Sequence, residues 1–446
     1  MLVIWGAIAV LGAGLVLWLL TSPTAPAALG IGIGGDAAAH LQSTSTPTLD
    51  PRLHTPTHSP TRVVILATRR PGTQVLAPLT NTPNPTAPMG PFFIYPEFDP
   101  LTGLKAANPA MLERRPVAVK VSTFPRSLRP YQSGLSRADI VYEYYTEDEQ
   151  TRFIAVFYSK DATKAGPVRS GRYFDENIMR MYHAVLVFAS ADLRVRNYFI
   201  DSPDLLPFLF LQRSDNCPPL CYDKTMPKTA GGGYNNLFVD TAGVGHFLED
   251  NKKQFLRPGF FYGAVSSFSS QRIDHIYTHY SRISYNYWEY DPTKNKYLRY
   301  SDNIDTTQGQ PEVYAAHYDH LTGQQLAADN VVELMVPHTF RDAADRADQL
   351  FDIQMYNSGT AYVFNQGYMY VGTWVRDRTD QAIQIFDQHK IPIRLQPGVT
   401  YYQVIDPEST VWQDGGRIDF TFSIPPRVLT ATPTLPKPTP TRRNHK

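Results

Sequence analysis

The chain has 446 residues, a length that accommodates roughly two or three domains. Its 42 lysines and arginines are nearly balanced by 41 aspartates and glutamates, which argues against a general nucleic-acid-binding protein because such proteins carry a basic face. The aromatic content of 12%, with 27 tyrosines, favours a tyrosine-rich β-sheet over a surface that holds sugars or peptides.

Residues 1–20 are a candidate membrane anchor. The run from Leu2 to Leu20 contains no charged residue, and about 20 apolar residues suffice to span a bilayer as a helix. A signal peptide usually has a basic start and a shorter apolar core, although cleavage near Ala25 or Ala27 is the alternative. No lysine or arginine follows until Arg52. We therefore predict a single-pass protein of the cell membrane with its body on the extracytoplasmic side.

Proline and threonine dominate the segments on both sides of the body. Residues 21–92 include TSPTAP, STSTPTLDP and NTPNPTAP, and residues 408–446 end in TATPTLPKPTPTRRNHK. Such sequences have little apolar surface to bury and stay extended. They predict a disordered stalk and a disordered tail.

Residues 93–267 are predicted to form a mixed α/β domain. Aromatic and β-branched residues indicate neighbouring strands at 138–145 and 152–159. A helical spacing of apolar residues follows at 173–182, and an apolar strand at 183–190 is predicted to be central in the sheet. The order strand, loop, helix, strand predicts a right-handed crossover.

Residues 268–407 are predicted to form a second, mostly antiparallel β domain. Short aromatic segments alternate there with turn signals, for example at 357–359 and 365–367, and no helical pattern separates them. The complete chain is therefore predicted to have an α+β fold, with the mixed domain first and the β-rich domain second.

A loop of small residues with two arginines is the leading candidate site. The segment GPVRSGR places Arg169 and Arg172 before the predicted helix, with Ser170 as its candidate N-cap, and Arg152 begins the preceding strand. A guanidinium binds a carboxylate or phosphate through two parallel hydrogen bonds, and a helix N-terminus adds unpaired N–H groups. The pattern predicts a site for an anion or an acidic substrate.

Two alternatives stay open at this stage. Glu143 interrupts the apolar strand IVYEYY and needs a partner if it is buried, so it and Glu147 could pair with the arginines in a purely structural network. Either carboxylate could instead serve as the acid or base of a cell-wall hydrolase, which needs two carboxylates roughly 5–9.5 Å apart. No paired motif demands that chemistry, so binding is the preferred hypothesis and catalysis is left open.

The chain contains two cysteines, Cys217 and Cys221. They can form a short local disulfide if the body is exported, and free thiols are the alternative; given the predicted topology, we predict the disulfide. The pair His275 and His279 lacks the glutamate of a metalloprotease motif. We predict neither a metal site nor a cofactor.

Eight segments of the body form a specific set between about residues 115 and 405. They are RPVAVKV, RPYQSGLSRADIVYEYY, TRFIAVFYS, GPVRSGRYF, NNLFV, DNVVELMV, GTAYVFNQGYMYVGTWVR and LQPGVTYYQVI. This set resembles the DUF3048 family, the YerB-like bacterial lipoproteins. The resemblance implies a cell-envelope protein of unestablished biochemical role. Together with the arginine loop it leads to the hypothesis that the chain binds an anionic cell-wall polymer or an envelope protein. The family's marked positions fall on Gln132, Gly134, Asp139, Glu143, Thr151, Arg152, Phe153, Gly166, Pro167, Arg169, Ser170, Arg172 and Asn236.

The chain departs from the family pattern in three places. It lacks the lipid-modified cysteine that many relatives carry near the start, so the apolar helix is expected to be the anchor. Ser122 or Thr123 stands where the family tends to have asparagine, and residues 189–192 stand where it tends to have a glycine pair. If these positions line the site, the ligand of this chain differs from that of its relatives.

Overall fold

The computed structural model of the chain describes residues 90, 96–213, 216–230, 235–247, 259–263 and 271–427. The predicted anchor at 1–20 and almost all of the predicted stalk at 21–92 lie outside these residues. No helix in the described ranges is both long and apolar enough to cross a membrane.

Within these ranges the chain forms mainly β-strands. The strands are β1 (Val117–Ser122), β2 (Ile140–Tyr145), β3 (Thr151–Phe157), β4 (Val185–Phe188), β5 (Leu209–Leu211), β6 (Leu220–Tyr222), β7 (Leu237–Val239), β8 (Gln271–Arg272), β9 (His275–His279), β10 (Tyr285–Asp291), β11 (Lys296–Asp302), β12 (Tyr314–Ala316), β13 (Ala327–Ala328), β14 (Asn330–Met335), β15 (His338–Phe340), β16 (Phe351–Ile353), β17 (Asn357–Asn365), β18 (Tyr368–Arg376), β19 (Gln384–Phe386), β20 (Thr400–Ile405), β21 (Thr410–Asp414) and β22 (Arg417–Thr421). The α-helices are α1 (Asp175–Tyr182), α2 (Leu193–Asp201) and α3 (Thr241–Phe247).

Two sheets make up most of the fold. The larger runs in the order β19-β18-β17-β14-β20-β2-β3-β1-β4-β5, with β8 beside β18. The smaller runs in the order β12-β11-β10-β9-β22-β21, with β13 beside β11. The fold is thus mostly β with few helices, and the predicted α+β character of the first half is right only in part.

The strands predicted around the arginine loop are present, but their connection differs from the prediction. β2 and β3 are antiparallel neighbours, as expected. β1 lies between β3 and β4, antiparallel to β3 and parallel to β4. β3 and β4 therefore run in opposite directions, and the right-handed crossover between them was wrong. β4 is also one strand from the sheet edge rather than central.

The large sheet takes strands from both sides of the predicted domain boundary at 267/268. β2 pairs in parallel with β20 at the middle of the sheet. Val141 of β2 and Tyr401 of β20 are paired there and belong to one buried cluster. The division into domains stays a prediction, and the strands on its two sides share one core.

The first part of the predicted disordered tail at 408–446 is folded, so the tail was predicted to begin too early. β21 and β22 form a hairpin inside it, and β22 adds in parallel to β9. Ile418 and Phe420 alternate with more exposed residues and pack into the core, which is why the segment is held in the sheet. The folded body therefore extends at least to Thr421.

Candidate functional site

The arginine loop connects β3 to α1 and is held against β1. Val168 forms a bridge with Val121, and the Arg169 N–H donates to the Lys120 carbonyl at 2.9 Å. Gly166 has a φ of +147°, and a Cβ there would lie 2.9 Å from the Leu237 carbonyl oxygen. Only glycine fits this close approach to β7 without strain, so the loop has a defined position.

The loop does not offer its backbone N–H groups to a ligand as predicted. The N–H groups of Arg169, Gly171 and Arg172 donate to the Lys120 carbonyl, the Ser190 carbonyl and the Asp175 carboxylate. Helix α1 begins only at Asp175, and the N-cap position is Phe174 rather than Ser170. The Ser170 hydroxyl instead lies 3.0 Å from that of Ser190. These three N–H groups are therefore not available to an anion.

Arg152 and Arg169 lack carboxylate partners among the described residues. Arg152 is only 3% exposed; its Nη1 donates to the Thr151 carbonyl at 2.7 Å, and its Nε has no partner in the described ranges. The Nε of half-buried Arg169 is also buried without a partner. Burial and, to a smaller extent, the nearby charge of Arg169 lower the pKa of Arg152 to about 9, while the charge of Asp148 opposes the shift. Two guanidiniums that form no close ion pair among the described residues therefore lie near each other.

Arg172 is committed to an ion pair. Its Nε donates to Glu147 at 2.7 Å and its Nη2 donates to the other oxygen of the same carboxylate. Nη1 donates to the Gly171 carbonyl at 2.8 Å. Of the three arginines selected from the sequence, Arg172 forms the ion pair with Glu147 that a purely structural network would contain. Arg152 and Arg169 form no such pair among the described residues.

Lys120 is a charged residue near the arginines that was not predicted from the sequence to belong to the site. It is fully buried in β1, and its Nζ donates to Asp175 at 2.9 Å and to the Tyr144 hydroxyl. Burial lowers the pKa of Lys120 to about 7; Asp175 opposes this shift, and the charges of Arg172 and Arg152 add to it. A lone lysine in the apolar strand VAVKV was the signal for this buried charge.

Glu143 faces away from the arginine loop. Tyr144 pairs with Arg152 across the β2–β3 ladder, whereas Glu143 pairs with Phe153. Successive side chains point to opposite faces of a strand, so Glu143 and Arg152 lie on opposite faces of the sheet. The prediction that Glu143 pairs with an arginine of the loop was therefore wrong.

The carboxylate of Glu143 is buried between the two sheets. It accepts hydrogen bonds from Arg299 at 2.7 Å, Thr151 at 2.9 Å and Asn286 at 3.3 Å. Arg299 belongs to β11 of the smaller sheet, more than 150 residues away in the chain. Glu143 thus links the two sheets through its ion pair with Arg299 and lies on the face of the sheet opposite Arg152.

Asn236 lies immediately before β7. Its side-chain amide donates to the Asp223 carbonyl at 3.0 Å, and its Oδ1 is buried without a partner. In the described part of the chain, no hydrogen bond links it to the guanidiniums. The structure therefore does not bring Asn236 into the arginine cluster.

Glu333 is a second buried carboxylate between the sheets. One oxygen accepts hydrogen bonds from Thr278 at 2.5 Å and from Gln403, and the other has no partner within the described part of the chain. Burial raises the pKa of Glu333 to about 8, with a further contribution from Glu143. The side chain therefore holds a proton at neutral pH.

Replacement of Glu333 by glutamine is expected to remove a pH dependence of stability. A carboxyl with a raised pKa in the folded state stabilises the protein fully below its unfolded pKa of about 4.3 and loses that contribution as the pH rises through about 8. Relative to wild type, the free energy of unfolding of Glu333→Gln should increase between pH 5 and pH 9. Urea unfolding at both pH values checks this, with exposed Glu408→Gln as control; a difference from wild type that is independent of pH would contradict it.

The structure joins Cys217 and Cys221 in a disulfide, with Cα atoms 4.9 Å apart. Closing so short a loop constrains the unfolded chain modestly, by about 2 kcal/mol in the chain-entropy model. Reduction, or the double change of both cysteines to serine, should lower the free energy of unfolding by about that amount. Mass spectrometry without reductant should find the protein two hydrogens lighter; two freely alkylated thiols would contradict the prediction.

No group of metal-ligating side chains occurs in the part of the chain that the structure describes. His275 and His279 lie on strand β9 rather than on a helix. The His279 ring contacts the carboxylates of Glu312 and Asp419 at 2.8 and 3.2 Å. Its surroundings are those of a paired surface histidine.

A cleft of about 470 Å³ lies beside the arginine loop. Ser170 and Arg172 line it on one side, and the loop between β15 and β16 lines it on the other. Its walls carry five carboxylates and two guanidiniums, so the cleft is acidic overall although it adjoins the arginines. The carboxylates are Glu147, Asp148, Asp192, Asp345 and Asp348, and the guanidiniums are Arg172 and Arg194.

Comparisons with known proteins agree with the sequence resemblance. Residues 101–250 match the family model described as protein of unknown function (DUF3048) N-terminal domain, and residues 276–402 match that of the DUF3048 C-terminal domain. A Bacillus subtilis (strain 168) protein named "Putative lipoprotein YerB" is 27% identical over 69% of this chain and 85% of its own length. A crystal structure of YerB protein from Bacillus subtilis is similar in fold, with a TM-score of 0.54 and 24% identity, covering 69% of this chain and 96% of that one.

Proposed function

This chain belongs to the DUF3048 family, and from that premise we propose that it is a bacterial cell-envelope protein that binds an anionic group. The guanidiniums of Arg152 and Arg169 hold the carboxylate or phosphate of a cell-wall component or of an envelope protein. Residues 1–20 anchor the chain in the cell membrane and the body lies outside. The lipoprotein name of the YerB relative supports the envelope location.

The observation that carries the binding function is the uncompensated pair of guanidiniums. Among the described residues, neither side chain has a partner for its buried Nε, and the like charge of Arg169 acts on Arg152. An unpaired buried charge costs several kcal/mol, and two neighbouring ones cost more. An anion between them offsets this cost because it accepts hydrogen bonds from both and cancels their repulsion.

Hydrolysis of cell-wall material is the less supported function. A hydrolase needs one carboxylate free to give or take a proton. Glu143 is bound by Arg299, and Glu147 is bound by Arg172 through both oxygens. These contacts favour a binding protein over an enzyme that uses either residue.

Isothermal titration of the full-length chain in detergent with acetate and with inorganic phosphate tests this function. Arg169→Ala should weaken binding by roughly 10- to 150-fold, the equivalent of about 1.5–3 kcal/mol for a hydrogen bond to a charged group. Arg169→Lys should weaken it less, because the charge remains but the two parallel hydrogen bonds do not.

The matched control is Arg282→Ala, which removes an exposed guanidinium paired with Glu149. Its anion affinity should equal that of wild type. Equal affinities of Arg169→Ala and Arg282→Ala, or the absence of saturable binding to wild type, would overturn the proposed function.

A further inference from the structure

The register of β1 places three cationic side chains on one face of the larger sheet. Ser122 pairs with Arg152 of β3, so these two side chains lie on the same face. Lys120 lies on that face as well, because side chains alternate along a strand. On the other side of β1, in its antiparallel bridge with the arginine loop, Arg169 lies opposite Lys120 and donates its N–H to the Lys120 carbonyl at 2.9 Å. Lys120, Arg152 and Arg169 thus form a cation cluster.

Among the described residues, a single carboxylate contacts the cation cluster. Asp175, the first residue of α1, accepts hydrogen bonds from the Lys120 amine at 2.9 Å and from the Tyr144 hydroxyl at 2.6 Å. Its other oxygen accepts a backbone N–H of the arginine loop at 2.8 Å. In the described ranges, no hydrogen bond or ion pair joins Asp175 to the guanidinium of Arg152 or of Arg169. One negative charge therefore faces three positive ones.

The other charged groups near the cation cluster do not change this balance. Arg172 and Glu147 neutralise each other through both oxygens of the carboxylate. Asp148 is close enough to act on the charge of Arg152, but it is exposed to solvent, and no ion pair joins the two side chains within the described structure. The cation cluster therefore keeps an excess of two positive charges, and Arg152, which carries one of them, is almost completely buried.

Resting on the proposed anion-binding function, we propose that the anion is a dianion, the phosphate group of a phosphate monoester, held by Arg152 and Arg169. A carboxylate or a phosphodiester carries one negative charge and would leave one guanidinium uncompensated. A phosphate monoester carries nearly two charges at pH 7 and has three acceptor oxygens, enough to bond both guanidiniums. Arg169 is only half-buried, so this face of the sheet is open to solvent at the arginine loop.

Sulfate and methanesulfonate test the charge of the ligand, because both are tetrahedral at sulfur and they differ by one negative charge. Isothermal titration uses the full-length chain in detergent at pH 6, where the Lys120 amine is charged because its pKa is lowered only to about 7. Wild type should bind sulfate roughly tenfold or more tightly than methanesulfonate, the equivalent of one charge-assisted hydrogen bond. Arg169→Gln should lower this ratio towards one, because it removes one of the two excess charges.

The matched control is Arg282→Gln, which removes an exposed guanidinium paired with Glu149 and should keep the wild-type ratio. Methyl phosphate and dimethyl phosphate then test the chemical class at pH 7, where a monoester, with a second pKa of about 6, is mostly dianionic. Wild type should again prefer the dianion, here methyl phosphate, by roughly tenfold or more.

The outcomes separate this inference from the proposed function. Equal affinities for sulfate and methanesulfonate, with binding of both weakened in Arg169→Gln, would overturn the dianion and retain the anion site. Equal affinities for methyl phosphate and dimethyl phosphate would overturn the phosphate monoester. A sulfate preference in Arg169→Gln as large as that of wild type would overturn the assignment to the cation cluster. Absence of saturable binding for all four probes would overturn both proposals.

Discussion

Arg299→Met is expected to lower the free energy of unfolding by about 3–5 kcal/mol. The change leaves the buried Glu143 carboxylate, which Arg299 contacts at 2.7 Å, without its cation. Methionine retains the unbranched apolar part of the side chain, so the loss reports the charge rather than a cavity. Urea unfolding at pH 7 measures it.

Two comparisons show whether the loss comes from this ion pair. Arg282→Met breaks an exposed pair with Glu149, in which the arginine side chain is 62% exposed, and should have a far smaller effect on stability because solvent screens the pair. Adding Glu143→Leu to Arg299→Met should recover much of the loss, because no charge is then buried alone. A cost for Arg299→Met no larger than that of Arg282→Met would contradict a structural role for the pair.

Asp175→Asn is expected to have the second largest effect, also about 3–5 kcal/mol at pH 6. Asp175 accepts hydrogen bonds from Lys120 at 2.9 Å and from Tyr144 at 2.6 Å, and it lies among the positive charges of the arginine cluster. At pH 6 the Lys120 amine is charged, since its pKa is lowered only to about 7. The loss should shrink at pH 9, where that amine is neutral in the folded protein.

Asp204→Asn is the matched control for Asp175→Asn. Asp204 pairs with Arg180 at 2.7 Å but is 56% exposed, so its removal should cost less than about 1 kcal/mol and show no such pH dependence. A loss for Asp175→Asn that is equal at pH 6 and pH 9 would show that Lys120 is not the group left uncompensated.

The strands around the site could be predicted from the sequence because each follows a simple residue pattern. IVYEYY and TRFIAVF have the aromatic and β-branched residues of strands, and they pair as neighbours. Their register could not be predicted, and a shift of one residue moves every side chain to the other face. With the register known, Glu143 falls opposite Phe153 and cannot reach Arg152.

Partners distant in the chain were beyond prediction. A charge within an apolar strand signals that a partner must exist, as Glu143 and Lys120 both do, but it does not identify that partner. Arg299 and Asp175 meet these residues only because the sheets and α1 pack as they do. The sequence therefore shows which charges are buried, and the fold decides how they are paired.

Several positions marked by the family resemblance serve the fold. Asp139 accepts the N–H groups of Tyr158 and Ser159, at 2.7 and 2.8 Å. Thr151 donates to Glu143, and Gly134 has a φ of +90°. These contacts within the fold explain the residues at these positions, and no ligand is needed. They do not explain Arg152 and Arg169.

The measurement that tests the anion site most directly is a titration of the full-length chain with acetate, followed through the Nε–Hε nuclear magnetic resonance signals of its arginine side chains. The signals of Arg152 and Arg169 should shift together and saturate at one dissociation constant, because their Nε atoms lack partners among the described residues. The signal of exposed Arg282, which pairs with Glu149, should stay in place. Signals of Arg152 and Arg169 that stay in place, or that shift without reaching saturation, would contradict the site.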